Sequence, residues 1–544
     1  MRLLLVCSLI FCTQSFDKIL TYDELNAAPK GIAKDYYIYR YIKEANHTKQ
    51  EVQSLKNQIY RYSGKLKVAV ESVIGAPAPT CTKDFLKESL ECQKKLLSVE
   101  KLNSLSKNQK KQLATKFKDD WQVNHFIKNS DMINPISQAI KNSNLYSYNK
   151  YFSAASDKNK FLNSNKLKPD FVSKLLQTAW FKDVLNQVVY DNKFGEFNAN
   201  LLDVNASNLD FDTTFSLGLN AIKLNRDDLA IEFFRQSSAK APLVGQKDMA
   251  DFWIYLISKD QEVLDQLSNS NDANIYSIYA RELKGDQKIK IAIPNPLRNK
   301  LNNYNKKDPF AWQLIKEKAK HLSKEELIEF AKDFYTKDTM GEYSYLMEKA
   351  QNYQIPYFPM PFLEHIEAKS IERKALILAL ARQESRFIPS AVSSSYAIGM
   401  MQFMPFLAHH IAKNDFKMSN FEQDNMFDPV ISYKFANAHL DYLEKYLTNP
   451  VFIGYAYNGG IGFTRRMLNS GHLFNEKNDP KYEPFLSMEL VPYAESREYA
   501  KRVLANYVVY LSILRSNTKI SRFFSELMIP GEGERFRVLR VKAD

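Results

Sequence analysis

From residue 16 to about 290, Tyr, Phe, Leu and Ile recur three and four positions apart, interrupted by clusters of Asn, Asp, Ser and Lys. That spacing collects apolar side chains on one face of a helix, whereas the strict alternation of a half-buried strand is scarce. The turn formers agree: Gly occurs 16 times and Pro 20 times in 544 residues, against roughly 7% and 5% in average proteins. A sandwich or barrel of many short strands needs more turns than that, so an all-β fold is excluded. With 45% hydrophobic residues the chain is not disordered. Its length corresponds to roughly three or four domains. The predicted fold class is mainly all-α.

One segment indicates how the helices pair. GLNAIKLNRDDLAIEFFRQSSAKAP, residues 218–242, reads as helix, polar turn at Asn225–Asp228, helix and then Pro, with Ala221, Ala230 and Ala239 allowing close approach. It resembles a tetratricopeptide-like hairpin. Stacked pairs of this kind form a superhelix with a concave or ring-shaped surface, although no clean repeat period is evident. An α-superhelical domain is therefore expected over 16–290. The polar run NKLNNYNKKDP at 299–309 opens a small helical linker domain, 291–355, with helices near 310–320 and 323–335. Ser323 and Glu326 have the spacing of a capping box. Three prolines in IPYFPMPF, 355–362, form a strong breaker. A compact domain is expected to follow over 356–525, with a C-terminal tail at 526–544.

The N-terminus bears on compartment. Met1-Arg2 is followed by an almost unbroken apolar run, Leu3 to Cys12, and by Thr13-Gln14-Ser15. The run is too short to span a bilayer and reads as a cleaved secretory signal over 1–15. Cys7 and Cys12 would leave with it, and Phe11 before Cys12 fits a lipid-attachment site poorly. No second long apolar run follows, so no transmembrane segment is expected. Cys81 and Cys92 remain, and an even count in an exported chain predicts a disulfide. Zinc would require more ligands than these two.

The sharpest chemical signal is SIERKALILALARQESRFIPSAVSSSYAIGMMQFMP, 370–405. Ser370 is a plausible N-cap. Ile371 to Ala381 is apolar on nearly every face, and Glu384 arrives as that run ends, before Phe387-Ile388-Pro389 breaks the helix. A carboxyl at the end of a buried helix loses solvation and keeps its proton to higher pH, as a general acid requires. The bland alternative is a Glu salt-bridged to Arg382 or Arg386. Downstream, AYNGGIGFTRRML (456–468) supplies Tyr457 and Asn458, and VPYAESREYAKRVL (491–504) supplies Glu495, Arg497 and Tyr499. Aromatic faces, amides and a lone acid suit a sugar groove.

The order E-S…S…G-x-M-Q-x-M-P…A-Y-N-x-G-x-G…P-x-x-E-x-R-x-Y resembles the soluble lytic transglycosylases, of the goose-lysozyme-like glycoside hydrolase family. The match is detailed over roughly 356–525 and loose elsewhere. The resemblance implies a helical superhelix that closes into a ring, a small linker domain and a lysozyme-like catalytic domain. It makes Glu384 the catalytic acid, with Ser385 beside it. It implies that Ser393 faces the substrate, that Gln402 and Met404 line the groove and that Tyr457, of Tyr457-Asn458, sits near the acid. Glu495 helps to shape the site, and Tyr499 follows in the same helix. There are departures. Tyr396 stands where the family has Gly, and Ile398 where it has Ser. Tyr is costly at positive φ, so the loop differs or tolerates it. Glu498 stands where Gly is common.

Ordinary glycosidases use two carboxylates. Asp415, Asp424, Asp428 and Asp441 read better as solvated charges or caps than as a partner for Glu384. A single acid suits substrate assistance and release of 1,6-anhydromuramyl ends from peptidoglycan, which is what the family implies. Two alternatives are a water-using lysozyme on the same fold and a non-catalytic periplasmic scaffold. No metal or cofactor is implied; His409-His410 lack a metal-ligand arrangement. The formal charge of +13 suits an anionic partner such as peptidoglycan strands with their stem peptides. Cell-wall proteins are possible partners, nucleic acid is not expected, and the implied compartment is the periplasm.

Overall fold

The computed structural model describes residues 19–76, 81, 84–190, 195–285, 288–368 and 370–541. The expected signal segment, 1–15, lies outside the described residues. The fold is helical, and among the described residues extended pairing is limited to isolated bridges. Two compact units emerge: Met1–Ala76, Asn271–His472 and Glu498–Asp544 form one, and Pro77–Ser270 with Leu473–Arg497 forms the other. This grouping differs from the sequential division expected above, because the first unit recruits the N-terminal helices together with the C-terminal ones.

In the second unit the anticipated hairpin forms from Phe211–Lys223 and Asp227–Lys240. Asn225 makes the turn at φ 56°, a left-handed value that Asn tolerates. Ala221 and Ala230 are fully buried as expected, but Ala239 is exposed. Gly218 provides the close approach instead: a Cβ there would fall 2.5 Å from the Phe234 ring. Cys81 and Cys92 are joined by a disulfide with a Cα–Cα distance of 5.4 Å.

In the first unit the capping box closes at Ser323 and Glu326, at the head of helix Lys324–Asp333. That helix, Pro309–Ala319 and Met340–Ala350 share a core of Trp312, Ile315, Leu327, Phe334 and Leu346, and Ile388 from beyond the Glu384 helix completes it. The proline-rich stretch at 355–362 is a strut and not a loose tether. Ala292 bridges Tyr357, with backbone bonds of 3.0 Å to Pro356 and 2.8 Å from Phe358. Tyr510 and Tyr433 donate to the carbonyls of Pro359 and Pro361 at 2.8 and 3.1 Å. Prolines lack the amide that would continue a helix, yet their carbonyls remain as acceptors.

Candidate active site

Helix Ile371–Ser385 is capped by Ser370, whose side chain accepts the Arg373 amide at 3.1 Å, and is buried throughout from Ala375 to Ala381. Glu384 lies in its last turn, half-buried. The helix ends through two successive left-handed residues, Arg386 (φ 57°) and Phe387 (φ 65°). Such conformations in non-glycine residues cost about 1–3 kcal/mol each and persist only where packing enforces them. Here helix Met340–Ala350 presses on the turn at Gly341, where a Cβ would lie 2.7 Å from the Phe387 carbonyl oxygen and 2.8 Å from that of Arg386. Burial of Phe387 and Ile388 anchors the other side.

The arginines flanking Glu384 are engaged by another acid. Buried Glu348 forms ion pairs with Arg382 (3.3 Å) and with Arg386, and accepts the Tyr357 amide at 2.8 Å. Arg382 also donates to the Tyr357 carbonyl (2.9 Å) and to Asn506 (2.7 Å), and its guanidinium lies 4.0 Å from the Phe358 ring centre. Nothing in the local sequence around Glu384 pointed to Glu348, which sits on a different helix.

Tyr499 donates its hydroxyl to Glu384 Oε1 at 2.7 Å. The Tyr457 ring stacks beside Tyr499 at 6.5 Å, nearly parallel, and its hydroxyl donates to the Met401 carbonyl at 3.1 Å. Gly454 lets their helices meet: a Cβ there would come within 2.9 Å of the Ala500 Cα. Loss of solvation and, after it, the nearby Glu384 carboxylate push both phenols well above their ordinary range, so they act as neutral donors. His439 packs edge-on to Tyr457 at 5.5 Å, and burial lowers its imidazole to about 4.

The segment 391–404 folds over this helix end. Ser385 Oγ donates to the Met400 carbonyl at 2.7 Å and accepts the Ile388 amide. Ser393 Oγ accepts the amides of Ser395 (3.3 Å) and Ala397 (2.9 Å). The Gln402 side-chain amide donates to the carbonyls of Ala391 (3.1 Å) and Gly399 (2.8 Å). Both side chains thus brace the loop. Gly399, at φ 79°, has no room for a side chain, since a Cβ would fall 2.1 Å from the Met426 carbonyl oxygen. Met404 occupies the position before helix Pro405–Asn414, half-buried. Asn458 is half-buried one position after Tyr457. Glu495 lies in the first turn of helix Ala494–Ile513 and groups with the second unit.

Tyr396 adopts φ 64°, the strained value its position suggested. Its ring is buried against Tyr36 (5.8 Å) and Tyr39 (5.4 Å) of helix Ile32–Glu44, with Lys65 Nζ 4.5 Å from the ring centre. Asp424 corrects the expectation of a solvated charge. It is 4% exposed, accepts the Tyr36 and Tyr37 hydroxyls at 2.5 and 3.0 Å and pairs with Arg40 at 3.0 Å. Burial opposes charge on Arg40, but Asp424 and Glu44 outweigh it and raise the guanidinium above its ordinary value. The other aspartates behave as read: Asp428 caps a helix and pairs with Lys307, Asp441 pairs with Arg373 at 2.9 Å, and Asp415 is exposed. His409 and His410 are exposed on helix Pro405–Asn414.

Residues 361–479 match the family described as transglycosylase SLT domain. A putative soluble lytic murein transglycosylase of Haemophilus influenzae is 30% identical over 221 residues, covering 40% of this chain and 35% of that protein. The soluble lytic murein transglycosylase of Escherichia coli K12 is 29% identical over 151 residues, covering 27% of this chain and 22% of its own. The aligned stretch thus spans about a third or less of either relative. Among solved structures, the lytic transglycosylase Slt of Pseudomonas aeruginosa superposes with a TM-score of 0.51 at 17% identity, over 90% of this chain and 83% of that one, a likeness of fold. The helix that carries Glu384 thus lies inside the stretch, residues 361–479, that is similar to the transglycosylase SLT domain.

Proposed function

We propose that this chain is a peptidoglycan lytic transglycosylase with Glu384 as its single acid and base. The observation that carries this reading is the Tyr499 hydroxyl donating to Glu384 Oε1 at 2.7 Å, at the end of a buried helix. Of the aspartates considered as a second carboxylate, Asp424, Asp428 and Asp441 are held in ion pairs and Asp415 lies at a surface helix end. Protonated Glu384 would give its proton to the glycosidic oxygen between MurNAc and GlcNAc as the C1–O bond breaks. The MurNAc 2-acetamido carbonyl would stabilise the cation at C1. The carboxylate would then take the proton of the C6 hydroxyl as that oxygen bonds to C1. The acid is regenerated, water is not consumed, and a 1,6-anhydromuramyl end results. Neutral Tyr499 would hold the carboxylate, and Tyr457, stacked on it with its hydroxyl on the Met401 carbonyl, would present its ring face to a sugar.

We read residues 356–525 as the catalytic domain, 291–355 as its helical support and 16–290 as the superhelical region. Peptidoglycan strands with acidic stem peptides are the proposed partner of this basic chain, and the periplasm, reached through the 1–15 signal, its proposed compartment. Mass spectrometry of material released from purified sacculi tests the activity. Muropeptides one water lighter, with non-reducible muramyl ends, are expected from the wild type and none from Glu384→Gln. Reducing ends would assign a water-using lysozyme instead. Sacculus binding without release would leave a scaffold.

A further inference from the structure

The loop 391–403 reaches the site through its backbone. The Met400 carbonyl is held by Ser385 and the Met401 carbonyl by Tyr457, one residue neighbouring Glu384 and the other stacked on its tyrosine partner. Upstream, the loop is a short turn in which Ser393 accepts from Ala397 and the Tyr396 amide donates to the Ser393 carbonyl at 2.9 Å. Isolated bridges from Ile398 to Val392 and Phe403 make the turn and the Met400–Met401 segment one piece. Tyr396 is the point where this piece meets the N-terminal helices. Its left-handed backbone is unfavourable for a bulky side chain, so the ring contacts must hold it there. Those contacts belong to helix Ile32–Glu44 and to Lys65 of helix Gly64–Ile74. The same N-terminal helix is fixed a second time, where Tyr36, Tyr37 and Arg40 grip Asp424, and the Met426 carbonyl just beyond presses on Gly399 of the loop. The helix therefore contacts the loop directly at Tyr396 and holds the neighbouring backbone at Asp424.

We propose that Tyr396 is a positioning residue, through which the N-terminal helices set the loop 391–403 against the Glu384 helix, so that productive binding of a glycan depends on a clamp of Tyr36, Tyr39 and Lys65. The clamp would act on Glu384 through the loop and not by touching substrate. The inference rests on the proposed function for its kinetic part, and on geometry alone for its structural part.

The test uses the full chain with three variants: Tyr396→Phe, Tyr396→Gly and the opposing pair Tyr39→Ala with Lys65→Ala. Tyr396→Gly relaxes the strained backbone while deleting the ring, and the pair leaves the loop sequence untouched. Hydrogen exchange is read at amides 397–403 and, as an internal reference, at 376–381. Tyr396→Gly and the pair are expected to speed exchange in the loop by about tenfold or more, with the buried helix unchanged. On soluble glycan chains they are expected to raise KM about tenfold and to leave kcat within about threefold, while Tyr396→Phe stays within about twofold of wild type. Unchanged loop exchange in both overturns the proposal, even if turnover falls, because the side chains would then act without moving the loop. If the wild type shows no turnover, the enzymatic reading fails, and loop exchange alone decides whether the clamp exists.

Discussion

Glu384 and Asp424 are both carboxylates that accept tyrosine hydroxyls, in the same compact unit, yet their surroundings differ. Asp424 is 4% exposed and receives two hydroxyls and a guanidinium, so both oxygens have partners and its charge is matched. Glu384 stands half-exposed where a helix runs out, beside a tyrosine held neutral, and the arginines two residues to either side pair with Glu348. Glu342 is a third case. It is fully buried with a hydroxyl from Tyr304 at 2.9 Å, and its second oxygen is without a hydrogen-bond partner. The contrast teaches that the chemistry open to an acid depends on access and on which cation takes its charge, not on residue type or on the presence of a tyrosine.

The sharpest division between the first two acids is expected from their amides. Glu384→Gln should lower turnover by about 10³-fold or more, in the range of acid–base removal, while the thermal midpoint stays near wild type. Asp424→Asn should do the reverse, costing about 3–5 kcal/mol of stability by leaving Arg40 poorly matched in a buried site, as read from denaturant midpoints. Activity lost in Asp424→Asn at full stability would break the contrast.

Glu342 sharpens it through pH. Burial raises this carboxyl to about 7, above its unfolded range, so the folded state binds the extra proton. Its contribution is fully present below about pH 4.5 and is lost as pH rises through 7, a span worth on the order of 3 kcal/mol. Glu342→Gln should flatten that part of the stability-versus-pH curve, measured by urea unfolding from pH 4 to 8. An unchanged slope would show that another group titrates there. The smallest effect is expected at Tyr499→Phe. Loss of one hydrogen bond to a charged group is worth about 1.5–3 kcal/mol, or roughly 10–100-fold in kcat/KM, with the fold retained. An effect as large as that of Glu384→Gln would mean that Tyr499 itself handles a proton.

Much of the Glu384 helix was legible. Its cap at Ser370, the apolar run and the acid at its end follow from local periodicity and capping chemistry, and the structure has them in place. The Cys81–Cys92 bond followed from residue count and the expected redox context, and it too is present. The bracing hydrogen bonds of Ser393 and Gln402 were not legible, because a motif marks which residues matter without saying which backbone groups of their own loop they hold. Asp424 reads as a surface charge in any local window, since its partners lie 388 and 387 positions away. Glu348 is hidden for the same reason. The proline-rich stretch breaks the helix as read, while the burial of Tyr357 and Phe358 that packs it in place depends on partners far along the chain.

The seam between the N-terminal helix and Asp424 also carries a temporal consequence. During synthesis Tyr36, Tyr37 and Arg40 emerge long before the loop and the acid they hold, and their unit is assembled from three separate stretches of chain ending with Glu498–Asp544. Contacts so distant in sequence close late, because chain entropy must be lost before they form. Tyr499 lies in that last stretch, so Glu384 receives its hydroxyl partner only when the third stretch has joined the other two. A truncated or unfinished chain would carry the acid without the surroundings that make it an acid of use.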